Sequence, residues 1–166
     1  MDRILPSEGS DVSSILTGNT MKKNNHEIIV LVGGCFDILH LGHILFLEKA
    51  KKLGDKLIVL LESDKRIKEK KGKNRPINSQ KNRALILSKL KVVDEIIKLP
   101  YLKSDEDYLQ IVKKIKPDFI AVSEGDENLA QKKRQAKLTR SKIVKVTKLI
   151  PYQSTSRVIE IISQDF

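Results

Sequence analysis

Two histidines three residues apart, His40 and His43, follow a glycine pair in the segment Gly33-Gly34-Cys35-Phe36-Asp37-Ile38-Leu39-His40-Leu41-Gly42-His43. Side chains three apart share a helix face. A helix that has begun by His40 therefore presents both imidazoles to one ligand, and Gly42 between them leaves room for a bulky group. The glycines permit a close backbone turn. The helix that follows offers unpaired N–H groups and the positive end of its dipole to an anion. A phosphate is the ligand these residues fit. A zinc ion is the other use of two histidines one turn apart, with Cys35, His26 or a carboxylate as third ligand, but the spacing differs from the usual His-zinc motifs, and no metal-ligating residue is assigned. Cys35 is the only cysteine, which excludes an intrachain disulfide and a multi-cysteine zinc site.

These residues need a strand before them and a helix behind them, and the pattern supplies both. Ile28-Ile29-Val30-Leu31-Val32 is a continuous apolar run with the signature of a strand buried on both faces. Leu39–Leu53 has helical spacing, and Gly54-Asp55 is a plausible stop. The alternation continues with a strand over Leu57–Leu61, a helix over Ser79–Leu90, a strand near Glu95–Leu99, a helix over Asp105–Ile115 and a strand at Asp118–Val122. A charged helix near Glu127–Leu138, a strand at Lys142–Thr147 and a terminal helix from about Thr155 complete it. Repeated βαβ units predict an α/β fold, a Rossmann-like doubly wound parallel sheet with helices on both faces. Its ligands should bind beyond the carboxyl ends of the strands.

Residues 1–25, scattered Ser, Gly, Asn and Asp without an apolar period, read as a disordered N-terminal extension, with Met21 a second possible start. Residues 26–166 then form one domain. No apolar run is long enough for a membrane span and no secretory leader is legible, so a cytoplasmic protein without a membrane partner is expected. The net charge of +11 favours anionic partners. A basic nucleic-acid-binding module is the competing class, motivated by Lys/Arg clusters at 65–75 and 132–140. The absence of Trp and the 4% aromatic content leave it few stacking platforms, so nucleic acid is not the expected partner.

The pattern Gly-x-Phe-Asp-x-x-His-x-Gly-His resembles the signature of the cytidylyltransferase-like nucleotidyltransferases, a superfamily that includes glycerol-3-phosphate cytidylyltransferase, the heptose-1-phosphate adenylyltransferase domain and archaeal-type FAD synthetase. The resemblance spans about residues 27–166. Ser63-Asp64 is similar to the family's second-strand region, and Lys68, Lys71, Gly72 and Arg75-Pro76 resemble its Lys-Gly-x-x-Arg-Pro loop. Arg83 matches the Arg of its Arg-x-x-x-Leu helix, and Gly125-Asp126 its base-adjacent Gly-Asp. Ser154-Thr155-Ser156 resembles its Ser-Thr-Thr element, although an ordinary helix cap is the plainer use of such residues. Two departures stand out: Cys35 replaces a frequent Thr, and Ile150-Pro151-Tyr152-Gln153 lacks the family's Arg-Thr-x-Gly lead-in.

The resemblance implies transfer of a nucleoside monophosphate from ATP or CTP to a phosphate-bearing small substrate, a sugar or polyol phosphate, with release of pyrophosphate and with Mg2+ accompanying the nucleotide. Transfer of AMP to FMN is the alternative. It implies catalytic roles for His40, His43, Lys68, Lys71 and Arg83, the last on the β/γ-phosphates. Nucleotide contacts are implied for Gly34, Cys35, Phe36, Asp37, Gly42, Asp64, Gly125, Asp126, Ser154, Thr155 and Ser156. Relatives are commonly dimeric, so a homodimer is expected.

Overall fold

The computed structural model describes residues 26–148 and 154–164. The expectations for residues 1–25 and for Ile150–Gln153 lie outside them. The described residues form five strands and six helices: β1 (Ile29–Gly34), α1 (Leu41–Lys51), β2 (Lys56–Leu61), α2 (Asp64–Lys71), α3 (Gln80–Ser88), β3 (Glu95–Lys98), α4 (Asp105–Ile115), β4 (Phe119–Ser123), α5 (Leu129–Thr139), β5 (Lys142–Thr147) and α6 (Thr155–Gln164). The strands form one sheet in the order β3-β2-β1-β4-β5, all pairs parallel.

The uninterrupted apolar runs follow from burial on both faces. Val30 and Val32 of β1 join Val59 and Leu61 of β2 on one face, beneath Leu47 and Ala50 of α1 and Leu87 of α3. Leu31, Ile58 and Ile120 point to the other, with Val112 of α4 and Ala136 of α5. The chain thus winds outward from β1 over one face to β3, then returns to β4 and β5 under the other. The order reverses between β1 and β4, where open α/β sheets hold their ligands. Among the described residues no helix is long and apolar enough to cross a membrane.

Most boundaries agree with the pattern to within two residues, and side-chain caps account for several. Ser79 accepts from the Asn82 N–H at the start of α3. Ser104 and Asp107 form a reciprocal capping box on α4. One element was not expected. The Lys/Arg cluster at 65–75, where the pattern predicts no regular element, begins with α2, an eight-residue helix capped by Ser63. Its only apolar residue, Ile67, is fully buried, and one anchor is too little to register as a period.

Candidate active site

The loop from β1 to α1 is held by a framework of buried charge. Phe36 adopts a positive φ of 46° and packs into the core. A Cβ on Gly34 would approach its ring to 2.9 Å, so the strand must end in glycine for the aromatic side chain to turn inward. A non-glycine residue in this region of backbone space persists only where its surroundings enforce it. Here they do. The Asp37 carboxylate, 2% exposed, accepts from Arg75 Nε at 2.8 Å and from the Ile77 and Asn78 N–H groups at 2.9 Å, and the Asn78 amide donates to its carbonyl. Burial alone would raise the Asp37 pKa, but the Asn78 and Ile77 N–H groups and Arg75 outweigh it and hold the acid below its usual range.

Arg83 supports the same loop from below. It is fully buried and donates to the carbonyls of Asn78 (3.0 Å), Cys35 (2.6 Å) and Glu62 (2.8 Å) and to Asp64 Oδ1 (2.7 Å). This corrects the expectation of a phosphate-holding arginine, because Nε, Nη1 and Nη2 are all engaged with framework acceptors. Asp37 and Asp64 are corrected for the same reason. Their carboxylates face Arg75 and Arg83, and neither lines the cleft described next.

Above the ends of β1 and β4 opens a cleft of about 290 Å³ whose wall includes Gly34, Cys35, Phe36, His40, Gly42 and His43. Helix α1 starts one residue later than the histidine argument assumed. His40 is its N-cap, in extended conformation (φ −140°) and with no side-chain cap bond. Its carbonyl accepts from the His43 N–H at 3.0 Å, and this turn stacks the two imidazoles with centroids 3.9 Å apart. The pair is therefore made by a helix cap and first turn rather than by one helix face. The Phe36 ring tilts against His43 at 5.2 Å.

Both imidazoles have a buried Nδ1 without a hydrogen-bond partner, an uncommon state for a buried polar atom. Burial, then the charge fields of His40 and Lys71, push the His43 pKa down to about 4, with the Ile38 backbone opposing. Burial also lowers that of His40. At neutral pH His43 is a neutral imidazole, able to donate and accept a hydrogen bond but carrying no charge to the site.

The depressed His43 pKa has a consequence for folding. From the ordinary value near 6.5 down to about 4, the unfolded chain holds a proton at this residue and the folded chain does not. Stability is complete above about 6.5 and falls as pH drops through that window, by on the order of 3 kcal/mol at its foot. Denaturant melts at pH 7 and pH 5 should show wild type losing about 2 kcal/mol more than His43→Gln. Equal acid sensitivity would mean that His43 is not buried in its neutral form.

The rest of the wall comes from distant segments. Lys71, the last residue of α2, joins it, as do Asp126 in the turn after β4 and Ser154, Thr155 and Ser156 at the start of α6. Ser154 caps α6 by accepting from the Arg157 N–H, and Thr155 Oγ1 donates to the Ile38 carbonyl at 3.2 Å. These hydroxyls therefore perform the plainer capping and docking roles while facing the cleft. Asp126 is paired with Lys132 at 2.7 Å and accepts from the Asn128 N–H. Gly125, at φ 72°, shapes that turn without lining the cleft. Lys68, exposed and one helical turn before Lys71, does not line it either. Lys148 does; as the cation nearest the serine-threonine element, it was legible in the sequence only by position.

Among the described residues no group of three or more His, Cys, Asp or Glu side chains is placed to hold a metal. His26, one of the possible third zinc ligands, pairs instead with Asp118 at the opposite, amino-terminal end of the sheet. Burial raises the pKa of the Cys35 thiol, against the field of Lys71.

The cytidylyltransferase-like family matches this chain over residues 31–161. The chain is 42% identical over 147 residues to the FAD synthase of Thermococcus sibiricus, covering 84% of this chain and 95% of that protein. It is 40% identical over 134 residues to the bifunctional protein HldE of Campylobacter fetus, covering 79% of this chain but 27% of that protein, so it spans about a quarter of that relative's length. Among solved structures it is similar to the lipopolysaccharide core biosynthesis protein of Thermoplasma volcanium, with TM-score 0.60 and 33% identity over 77% of this chain and all of that one. A pantoate-beta-alanine ligase from Francisella tularensis shares the fold at 18% identity and TM-score 0.53.

Proposed function

The chain belongs to the cytidylyltransferase-like family, and on that basis we propose that it is a nucleotidylyltransferase moving an NMP group from ATP or CTP to a phosphate-bearing small molecule. One observation carries the reading: a stacked pair of histidines with buried, unpartnered nitrogens at the switch point of a parallel sheet, in a cleft shared with Lys71 and a serine-threonine helix start.

In the reaction an acceptor phosphate oxygen attacks the α-phosphorus in line. The bond from that phosphorus to the bridging oxygen of the β-phosphate breaks, and pyrophosphate leaves with the electron pair. No covalent enzyme intermediate is needed, so the protein's contribution is positioning and stabilisation of shifting negative charge. His40 and His43 hydrogen-bond the reacting phosphates as neutral groups, and Lys71 supplies the positive charge beside them. Ser154, Thr155, Ser156 and the first N–H groups of α6 hold the triphosphate tail. Gly34, Cys35 and Gly42 let the nucleotide approach the backbone, and Asp126, in the turn that Gly125 shapes, flanks the base.

Magnesium enters with the nucleotide as substrate. Among the described residues the one carboxylate on the cleft wall, Asp126, already serves Lys132. An ion bound with the nucleotide would therefore draw on triphosphate oxygens and water, in keeping with magnesium's reluctance to dehydrate.

The test is pyrophosphate release from ATP and from CTP with magnesium, across glycerol 3-phosphate, heptose 1-phosphate and FMN. Acceptor-dependent release should fall by on the order of 10²-fold in Lys71→Ala and stay within about two-fold in Lys68→Ala, as for a solvated charge. Salt-sensitive polynucleotide binding without turnover of either nucleotide would replace this reading with the nucleic-acid one. In solution, the expected homodimer would appear as twice the chain mass.

A further inference from the structure

The Lys/Arg cluster at 132–140, which the transfer chemistry leaves unused, begins with a lysine unlike its neighbours. The Lys132 side chain is 15% exposed and donates to Asp126 Oδ2 at 2.7 Å, whereas Lys133 and Lys137 are exposed. Lys132 is the fourth residue of α5, near the end of the helix whose dipole disfavours a cation. A largely buried ion pair is also a weak source of stability, because desolvation of both charges offsets their attraction. Neither the helix nor the fold gains much from a lysine at this position.

What the pair changes is the charge of the nucleotide cleft. Asp126 lines that cleft and Lys132 does not. Lys132 stands behind the wall, in a second cleft of about 200 Å³ that shares Gly33, Gly34 and Cys35 with the first. The second cleft has a carboxylate of its own, Glu62, met by neutral donors: Tyr108 Oη at 2.6 Å and the Ser63 N–H at 3.0 Å. A cation is thus matched to the carboxylate on the nucleotide side of the shared wall, and neutral groups to the one beyond it. The turn that presents Asp126 has other ties. Its carbonyl accepts from the Leu129 N–H at 3.1 Å, its Oδ1 accepts from the Asn128 N–H at 2.9 Å, and Lys70 Nζ donates to Asn128 Oδ1 at 3.1 Å. Loss of the lysine would therefore uncover the charge while leaving these bonds in place.

Resting on the transferase reading, we infer that Lys132 is a positioning residue for the nucleotide: it cancels the Asp126 charge from behind the wall and fixes that carboxylate, so that a triphosphate enters a cleft whose remaining charges, on Lys71 and Lys148, are positive. It acts through Asp126 and not by contact with the substrate. Without it, a bare carboxylate at the cleft repels the nucleotide at short range, where a partly buried charge is screened least.

The test is calorimetric binding of ATP and of CTP, each with magnesium, to the full chain. Lys132→Met should raise the Kd of the nucleotide that wild type binds by about ten-fold in about 50 mM salt, and by about three-fold in about 0.5 M, where the uncovered charge is screened. Lys132→Arg keeps the charge and should stay within about three-fold of wild type, whereas Asp126→Asn leaves Lys132 uncancelled and should bind about three-fold more tightly. Breaking a merely structural pair from either end would weaken binding alike, so opposite signs are the mark of charge. If Lys132→Met does not fold, Asp126→Asn and Lys132→Arg decide the matter. Weaker binding in Asp126→Asn, unchanged binding in Lys132→Met, or a loss insensitive to salt overturns the inference and leaves the nucleotide site standing. Binding of neither nucleotide by wild type overturns the transferase reading itself.

Discussion

Replacing His43 by Ala should lower kcat/KM for acceptor-dependent pyrophosphate release by on the order of 10²–10³, with no loss of melting temperature at pH 7. The size follows from what is removed. A buried, neutral imidazole whose Nδ1 has no protein partner adds little to the fold, because a polar group without a hydrogen bond costs free energy on burial. Its return comes when a phosphate oxygen arrives and completes the hydrogen bond the protein leaves unmade. A preorganised donor of that kind acts most strongly where negative charge shifts during the reaction. His43→Asn, which keeps a donor of shorter reach, should recover part of the rate. Steady-state kinetics beside a thermal melt separates the two effects. Activity within a few-fold of wild type in His43→Ala would remove the histidine pair from the mechanism.

The largest stability effect is expected at Arg83. Arg83→Leu keeps much of the aliphatic bulk but strips donors from the carbonyls of Cys35, Glu62 and Asn78 and from Asp64. Breaking a buried charged network by deleting one partner costs roughly 3–5 kcal/mol, a large fraction of the stability of a domain this size. Urea denaturation should show this as a shifted midpoint with an unchanged slope. Arg83→Lys should fall between, because an ammonium cannot reproduce the planar fork that reaches several acceptors at once. If Arg83→Leu instead melts like wild type and loses only nucleotide affinity, the side chain belongs to the phosphate site after all. The two outcomes differ in kind, so one protein preparation decides between a framework and a ligand-binding arginine.

Arg83 also shows where reading from sequence stops. An arginine at the right offset from a nucleotide motif carries the same letter whether its donors meet phosphates or carbonyls. The acceptors it meets lie 5, 48, 21 and 19 residues away along the chain. Asp37 is the same case. Its partners, Arg75, Ile77 and Asn78, are about forty residues distant, and nothing in the local pattern joins them. The pair Glu62 and Tyr108, 46 residues apart, gave no signal at all, since neither stands in a motif.

The sequence by itself determined the features whose physics is local. Continuous apolar runs dictated the central strands β1, β2 and β4, because burial on both faces leaves no polar position to alternate with. Their alternation with helices dictated the parallel sheet, which the strand order bears out. The glycine pair and His40-Leu41-Gly42-His43 marked where the chemistry lies, because backbone freedom and imidazoles at that spacing are set within one turn of chain. Tertiary structure alone decided which charges are framework and which face the cleft. It separated Lys71 from Lys68, moved Asp37, Asp64 and Arg83 into the support of the loop, and set a second cleft against the first across Gly33, Gly34 and Cys35. Those assignments depend on which donor meets which acceptor after the chain has crossed the sheet, and the pairing exists only once the strands are in register.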